Sequence, residues 1–431
     1  MTRKIHLGLF LLGTGSHIAG WRVPGAMDSF QDIEMVRRIA QEAERGLFDL
    51  IFMGDNLNAD PAAHPSYTAR LEPLTLLAAI AGATRHIGLG ATVSTTYSDP
   101  YTVARAFASL DHLSGGRAAW NAVTTANPAA AANFGTVHPD HSRRYEIAEE
   151  FIAVVRGLWD CWADDAIVAD RATGLYIDPS RVRTLDHDGP NFKVKGPLSI
   201  GRSPQGQPVI LQAGGSGPGQ ELAAKSADVV FAVTQDLDEA RAFYRSVKER
   251  LPKYGRDPDS LTVLPGVMPI VGRTEREAHD KLAALQGFVS ETNALSLLSD
   301  RFGVDMSRYD LDGPIPADLA PSDNYHAFAR VMLDKAKREN MRLRDVYNLM
   351  AAARGHWVLC GTPDYVADTL ETWFTTGAAD GVNVMPSHFL GGLTDFVDMV
   401  VPILQERGLF RTEYEGKTLR DRIGLPRPER R

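Results

Sequence analysis

The chain of 431 residues contains only two cysteines, Cys161 and Cys360, far apart and with no Cys or His at metal-ligand spacing beside them. This argues against a disulfide framework and a cysteine zinc site, and a reducing cytoplasm is the setting such usage implies. No apolar run is long enough to span a bilayer. The N-terminal MTRKIHLGLFLLGTG has charge ahead of an apolar run, but that run is short and lacks the usual small-residue cleavage site, so it is expected to be a first strand. No cluster of Lys or Arg forms a basic stripe, and the net charge is -8, which argues against a nucleic-acid partner. Small molecules or proteins remain as partners.

What the chain does have is ordinary globular composition, 44% hydrophobic and 23% charged, with enough length to bury a large core. Strand-length apolar runs alternate with helical patterns, as where EMVRRIAQEAERGLF places Met35, Ile39, Ala43 and Leu47 on one stripe. The runs KIHLGLFLLG, DLIFMGD, IGLGATV, RAAWNAVT, PVILQAG, DVVFAV, LTVLPGVMPIV and GVNVMP make eight strands, nearly continuous in apolar residues as parallel strands covered by helices must be. Eight such units point to α/β architecture closed into a (β/α)8 TIM barrel rather than an open sheet, one domain over residues 1–431. Two intervals break the repeat, 163–207 and 291–358, and are expected to be insertions in βα-loops, the side where barrel substrates bind. The C-terminal GLPRPERR is expected to be a loose tail or a dimer strap.

In such a barrel the residues after each strand converge on one mouth. These are His17 after the first strand, Asp55 and Asn56 after the second, Thr92 and Ser94 after the third, Asn121 and Thr124 after the fourth, and Gly214 to Ser216 after the fifth. They would suit a ligand rich in heteroatoms. HSRRYEIAEEF, at 141–151, crowds a histidine, two arginines and a tyrosine into a first helical turn, where the macrodipole already disfavours cations unless an anion sits among them. His141 and Tyr145, four apart, share one face. The competing reading is a capped surface helix with its arginines paired to Glu146, Glu149 or Glu150.

QAGGSGPGQE, at 212–221, offers bare backbone amides and the Ser216 hydroxyl to a phosphate, or is simply a tight loop. It is neither a P-loop nor a dinucleotide fingerprint, because Gln220 and Glu221 stand where those motifs need other residues. SDPYTVAR, at 98–105, needs only a structural reading, an N-capped helix start with Pro100 in its first turn. Asp55 could equally be a strand-end acid paired with an arginine, and His17 a structural hydrogen-bonding group.

GWRVPGA, GLFDLIFMGDN, LEPLTLLAAIAGATRHIGLGATVSTTYSDPYTVAR, LDHLSGGRAAWNAVTT, HSRRYEIAEEF and PVILQAGGSGPGQELAAKSADVVFA together resemble the two-component, flavin-dependent monooxygenases of the bacterial-luciferase-like superfamily. The resemblance is to the branch acting on nitrilotriacetate, EDTA, dibenzothiophene sulfone and long-chain alkanes. It covers most of residues 5–235, with a weaker echo in GTPDYVADTLETWFTTGAADGVNVMP. It implies a TIM barrel that takes reduced FMN from a separate NAD(P)H:flavin reductase and oxygenates a small organic substrate, as a homodimer or homotetramer. Carried over by motif position, it implies flavin contacts at Asp55 and Thr92, Asn121 along the ring system, and His141, Tyr145 and Ser216 at the 5′-phosphate. Thr125 stands where the family often has Ser. His17 is the candidate for orienting or protonating groups at the oxygenated edge, since histidine titrates near neutral pH.

Three rivals remain at this level: a related barrel transferring hydride from the deazaflavin F420, a flavin-binding protein without turnover, and a metal-dependent barrel hydrolase. The first strand end has no His-x-His pair, and the histidines are scattered, which weighs against the hydrolase and against any metal. The two insertions carry cations, such as Arg171, Arg181 and Arg183, and apolar groups, such as Leu297, Leu298 and Phe302, with Phe288 just ahead of the second. Polyaminocarboxylates would use the former, sulfones or alkanes the latter.

Overall fold

A computed structural model describes residues 3–59, 68–316, 319, 333–353 and 355–430. Strands β1 (His6–Leu11), β2 (Leu50–Met53), β3 (Gly88–Ser94), β4 (Ala118–Val123), β5 (Val209–Gln212), β6 (Val229–Ala232) and β7 (Thr262–Val271) run parallel in chain order. A short β8 (Trp357–Gly361) follows, and β9 (Gly381–Val384) returns to β1 and closes the ring. All eight strands read from apolar runs are in that ring. Every position of β7 is buried, as double-sided packing requires.

β8 is a ninth strand, outside the eight apolar runs. It begins at the very end of the interval expected as an insertion, runs past it, and pairs from Trp357↔Val267 to Gly361↔Val271, on the far half of the ten-residue β7. A five-residue apolar run carries no period by which to identify it as strand, and only the overhang of β7 gives it a partner.

Helix α1 (Ile33–Arg45) buries Val36, Ile39, Ala40 and Ala43, and Asp32 caps it by accepting from Glu34 N and Met35 N. Gly46 ends it, so Leu47, with φ 58°, falls beyond the stripe expected to include it. Helix α2 is Pro73–Ala81. Helix α3 (Pro100–Ser114) begins as its sequence implies, with Pro100 in the first turn and Asp99 accepting from Thr102 N at 2.9 Å. Helices α4 (His141–Trp159) and α5 (Gly217–Ser226) follow β4 and β5, and α6 (Leu237–Lys248) follows β6. No helix among the described residues is long and apolar enough to cross a membrane.

Two expectations about the excursions change. Residues 163–207 lie between α4 and β5, a helix-to-strand connection, not the strand-to-helix loop expected. They therefore meet the N-terminal ends of the strands: Gln205 donates from Nε2 to Ala118 O at 2.9 Å and from N to Asp111 Oδ2 at 3.1 Å. Arg181, in this interval, pairs with Asp165 and Asp178. The C-terminal end is not loose. Leu419, Ile423 and Leu425 pack with Leu50, Val209 and Val229 inside the barrel, and a Cβ at Gly88 would stand 2.7 Å from Leu419 Cδ1. Arg427 pairs with Asp164, and Arg430 donates to Asp160 O at 3.1 Å.

The other excursion follows β7 and helix α7 (Glu275–Gly287), with helix α8 (Glu291–Phe302) and helix α9 (Leu343–Ala353) sharing an apolar cluster of Leu298, Phe302, Val346 and Met350. It touches the mouth: Ile18 N donates to Ala351 O at 2.9 Å. Helix α10 (Pro363–Thr375) then leads to β9.

Candidate active site

The inner wall below the mouth is aromatic. Phe10 stacks on Phe52 with centroids 5.0 Å apart, Phe231 closes on both at 5.3 and 5.4 Å, and His356 stacks on Phe231 at 4.9 Å. Gly266 makes room for this floor, since a Cβ there would lie 2.4 Å from His356 Nδ1. Such a floor excludes water from whatever lies above it.

Thr92 and Asn121 are cross-strand partners in the β3–β4 register. Asn121 Nδ2 donates to Thr92 Oγ1 at 2.8 Å, and Thr92 Oγ1 donates to Met53 O at 2.7 Å. That chain uses the amide nitrogen and leaves Asn121 Oδ1 buried without a partner. Thr125, the departure noted in the sequence, sits at φ 41°, donates from Oγ1 to Ser94 Oγ at 2.7 Å, and accepts from Arg144 at its carbonyl at 2.8 Å.

The two arginines of HSRRYEIAEEF separate here. Arg143 pairs with Glu146 at 2.9 Å, the surface reading, whereas buried Arg144 is turned inward to hold the loop after β4. Asp140, not a basic residue, caps α4 by accepting from Arg143 N at 2.8 Å. His141 and Tyr145 do share a face, with ring centroids 5.0 Å apart. Tyr145 Oη is 3.3 Å from Ser216 Oγ, the cap of α5, which accepts from Gly219 N at 3.2 Å. Two helix N-termini thus converge across 71 residues of sequence, with a glycine turn between them. A Cβ at Gly219 would stand 3.1 Å from both Gly214 and Tyr145 Oη.

Asp55 is turned toward its own loop and accepts from Asn56 N at 2.8 Å. Burial pushes its carboxyl above the usual range, against the opposing pull of the Asn56 N–H and the Arg70 charge. His17 is fully buried on the loop after β1. Its backbone N–H donates to Ser387 O at 3.1 Å and its Nδ1 accepts from Ala19 N at 3.1 Å. An imidazole nitrogen that accepts from an N–H carries no proton, so the proton resides on Nε2, which has no partner.

The structure therefore joins His141, Tyr145 and Ser216 in one group and Thr92 with Asn121 in another, while His17 and Asp55 each stand in their own loop. The sequence reading missed His388, which sits against the His17 loop: a Cβ at Gly20 would stand 3.3 Å from His388 Cβ. It follows the last strand, GVNVMP, so the strand-end rule carried to that strand would have found it.

Burial, and secondarily repulsion from His388, lowers His17 from 6.5 to about 4. The unfolded chain protonates near 6.5 and the native one near 4, so the stability tied to neutral His17 is complete above 6.5 and falls as pH drops through that window, by about 3 kcal/mol. Urea unfolding at pH 7 and pH 4.5 should show His17→Gln losing less stability in acid than the parent. Equal acid losses would assign the effect to another group.

The sequence profile of the luciferase-like monooxygenases matches residues 10–380. The chain belongs to that family. The N-acetyl-S-(2-succino)cysteine monooxygenase of Bacillus subtilis is 46% identical over 433 residues, spanning 100% of this chain and 98% of its own length. Nitrilotriacetate monooxygenase component A of Aminobacter aminovorans is 45% identical over 444 residues, spanning 99% and 98%. The solved structure of the EDTA monooxygenase of a Chelativorans species matches with a TM-score of 0.86 at 35% identity, covering 99% of both chains. This luciferase-like monooxygenase is a flavin-dependent oxidoreductase, and the F420 hydride-transfer reading gives way to it.

Proposed function

We infer that this chain is the oxygenating component of a two-component system, taking reduced FMN from a separate NAD(P)H:flavin reductase and oxygenating a small organic substrate. The observation that carries the reading is the meeting of the α4 and α5 N-termini at Tyr145 and Ser216, a cradle that a Cβ at Gly219 would fill. A relative whose name makes it a component A supports the division of labour. The free Cys161 and Cys360 suit a reducing cytoplasm, and a homodimer or homotetramer is the assembly the family resemblance favours.

The residues fit FMN. His141, Tyr145, Ser216 and the amides of the glycine turn would hold its phosphate, and Thr92, Asn121 and Asp55 would face its ring system, with Asn121 Oδ1 available as a buried acceptor. Reduced flavin supplies the electrons that activate O₂, chemistry no side chain of the site provides. His17, neutral, presents Nε2–H as a fixed donor, and the Phe10, Phe52 and Phe231 floor keeps water away.

The test is anaerobic titration with chemically reduced FMN, followed by stopped-flow mixing with oxygenated buffer. The protein should bind reduced FMN and alter the course of its reoxidation. Gly219→Val should weaken binding roughly tenfold, the effect of about 1–3 kcal/mol of overpacking. Free-flavin reoxidation kinetics together with no binding would defeat the proposal.

A further inference from the structure

A second cavity, of about 190 Å³, opens between the β1 loop and the residues joining α7 to α8, lined chiefly by Ile18, Trp21, Arg22, Phe288, Val289 and Ser290. One wall is the loop that carries His17: Gly20 N donates to His17 O at 3.0 Å, and Ala19 N donates to the imidazole itself. The other wall is the entrance to the excursion after β7. Its volume is below the roughly 300–1,000 Å³ that encloses a whole ligand, so it suits one end of a molecule whose remainder extends elsewhere.

The chemistry of the walls is specific. Trp21 is 42% exposed, an unusual display of indole surface, and Phe288 lies opposite with the Arg22 guanidinium 5.6 Å from its ring centroid. Arg22 donates to Phe288 O and pairs with no carboxylate among the described residues, in a chain whose net charge is -8. A guanidinium has five donors, so most remain for a ligand. Ser290, at the start of α8, makes no capping hydrogen bond with its side chain and leaves its hydroxyl to the cavity.

Covering Trp21 and Phe288 with an apolar body would strip water from Arg22. A desolvated guanidinium is tolerated only against an anion that accepts its fork of hydrogen bonds. We propose that this cavity is the substrate-selecting subsite, that its ligand is a small organic anion with an apolar body, and that Arg22 is the specificity-determining residue. The inference rests on the monooxygenase reading above, because it places the substrate against the loop that carries His17. It also removes the choice between cationic and apolar walls posed by the sequence: this subsite has both.

The test uses 3-phenylpropanoate and 3-phenylpropanamide, alike in shape and different in charge, by calorimetry on the full chain with and without FMN. The carboxylate should bind at least about tenfold more tightly than the amide, the magnitude of one charge-assisted pair. Arg22→Gln should abolish that preference and leave the amide affinity unchanged, Arg22→Lys should retain part of it, and Trp21→Ala should weaken both probes alike. Equal affinities in the parent, no saturable binding of either probe, or an unchanged preference in Arg22→Gln would each overturn it. Flavin titration of the same samples keeps the two proposals apart: intact flavin binding with no charge preference removes only this inference.

Discussion

Alanine at position 17 is expected to slow substrate oxygenation by about 100-fold and to divert O₂ to hydrogen peroxide, with reduced-flavin binding near the parent value. His17 is fixed at three points: its backbone N–H donates to Ser387 O, its ring Nδ1 accepts from the Ala19 N–H, and its loop is pinned where Ile18 N meets Ala351 O. What remains is an Nε2–H with no protein partner, buried beside the mouth. A donor fixed in advance costs nothing to orient when charge develops before it, which is why one such group is worth about 3 kcal/mol in a dry site. Asparagine or glutamine at 17 should recover part of the rate if they place an N–H similarly. Product yield and peroxide release, measured together under single turnover, decide the matter. If both match the parent in the alanine variant, His17 is a structural residue.

Arg420→Ala is expected to lower the unfolding free energy by about 3–5 kcal/mol. Arg420 is 4% exposed at the closed end of the barrel, where it donates to Asp228 Oδ2 and to Gln207 O. Burial pushes the Asp228 carboxyl up, but Arg420, Arg156 and the Ile210 N–H more than offset it, and its pKa lies below the usual range. Removing Arg420 takes the directly paired charge from that buried carboxylate and leaves it the Ile210 N–H and the Arg156 charge. The double variant Arg420→Ala/Asp228→Asn should therefore regain part of the loss, a coupling measurable in denaturant unfolding. Losses that simply add in the double variant would show that the pair is not the cause.

Neither effect could be weighed from its stretch of chain alone. Arg420 belongs to a segment close to the one expected to hang loose, and its partner is 192 residues away. The same distinction runs through the site. His141 and Tyr145 were legible as a pair because a helix repeats every 3.6 residues, so residues four apart must share a face. Their meeting with Ser216 was not, because it depends on β4 lying beside β5 in the closed ring.

By itself the sequence determined the features set by short-range periodicity and backbone chemistry. These are the eight ring strands, the Asp99 cap with Pro100 behind it, the glycine turn at 214–216, the family motifs, and the absence of long apolar runs and cysteine clusters. Tertiary structure alone decided which arginine of HSRRYEIAEEF points inward, that residues 163–207 meet the strands at their N-terminal ends, and that the C-terminal segment plugs the barrel. It also decided that β8 pairs with the overhang of β7 and that Arg22 faces an apolar cavity, with no carboxylate paired to it among the described residues. The reason is physical. Periodicity and capping act over a few residues and are written locally, whereas a buried charge or a cavity takes its meaning from groups that only ring closure brings within reach.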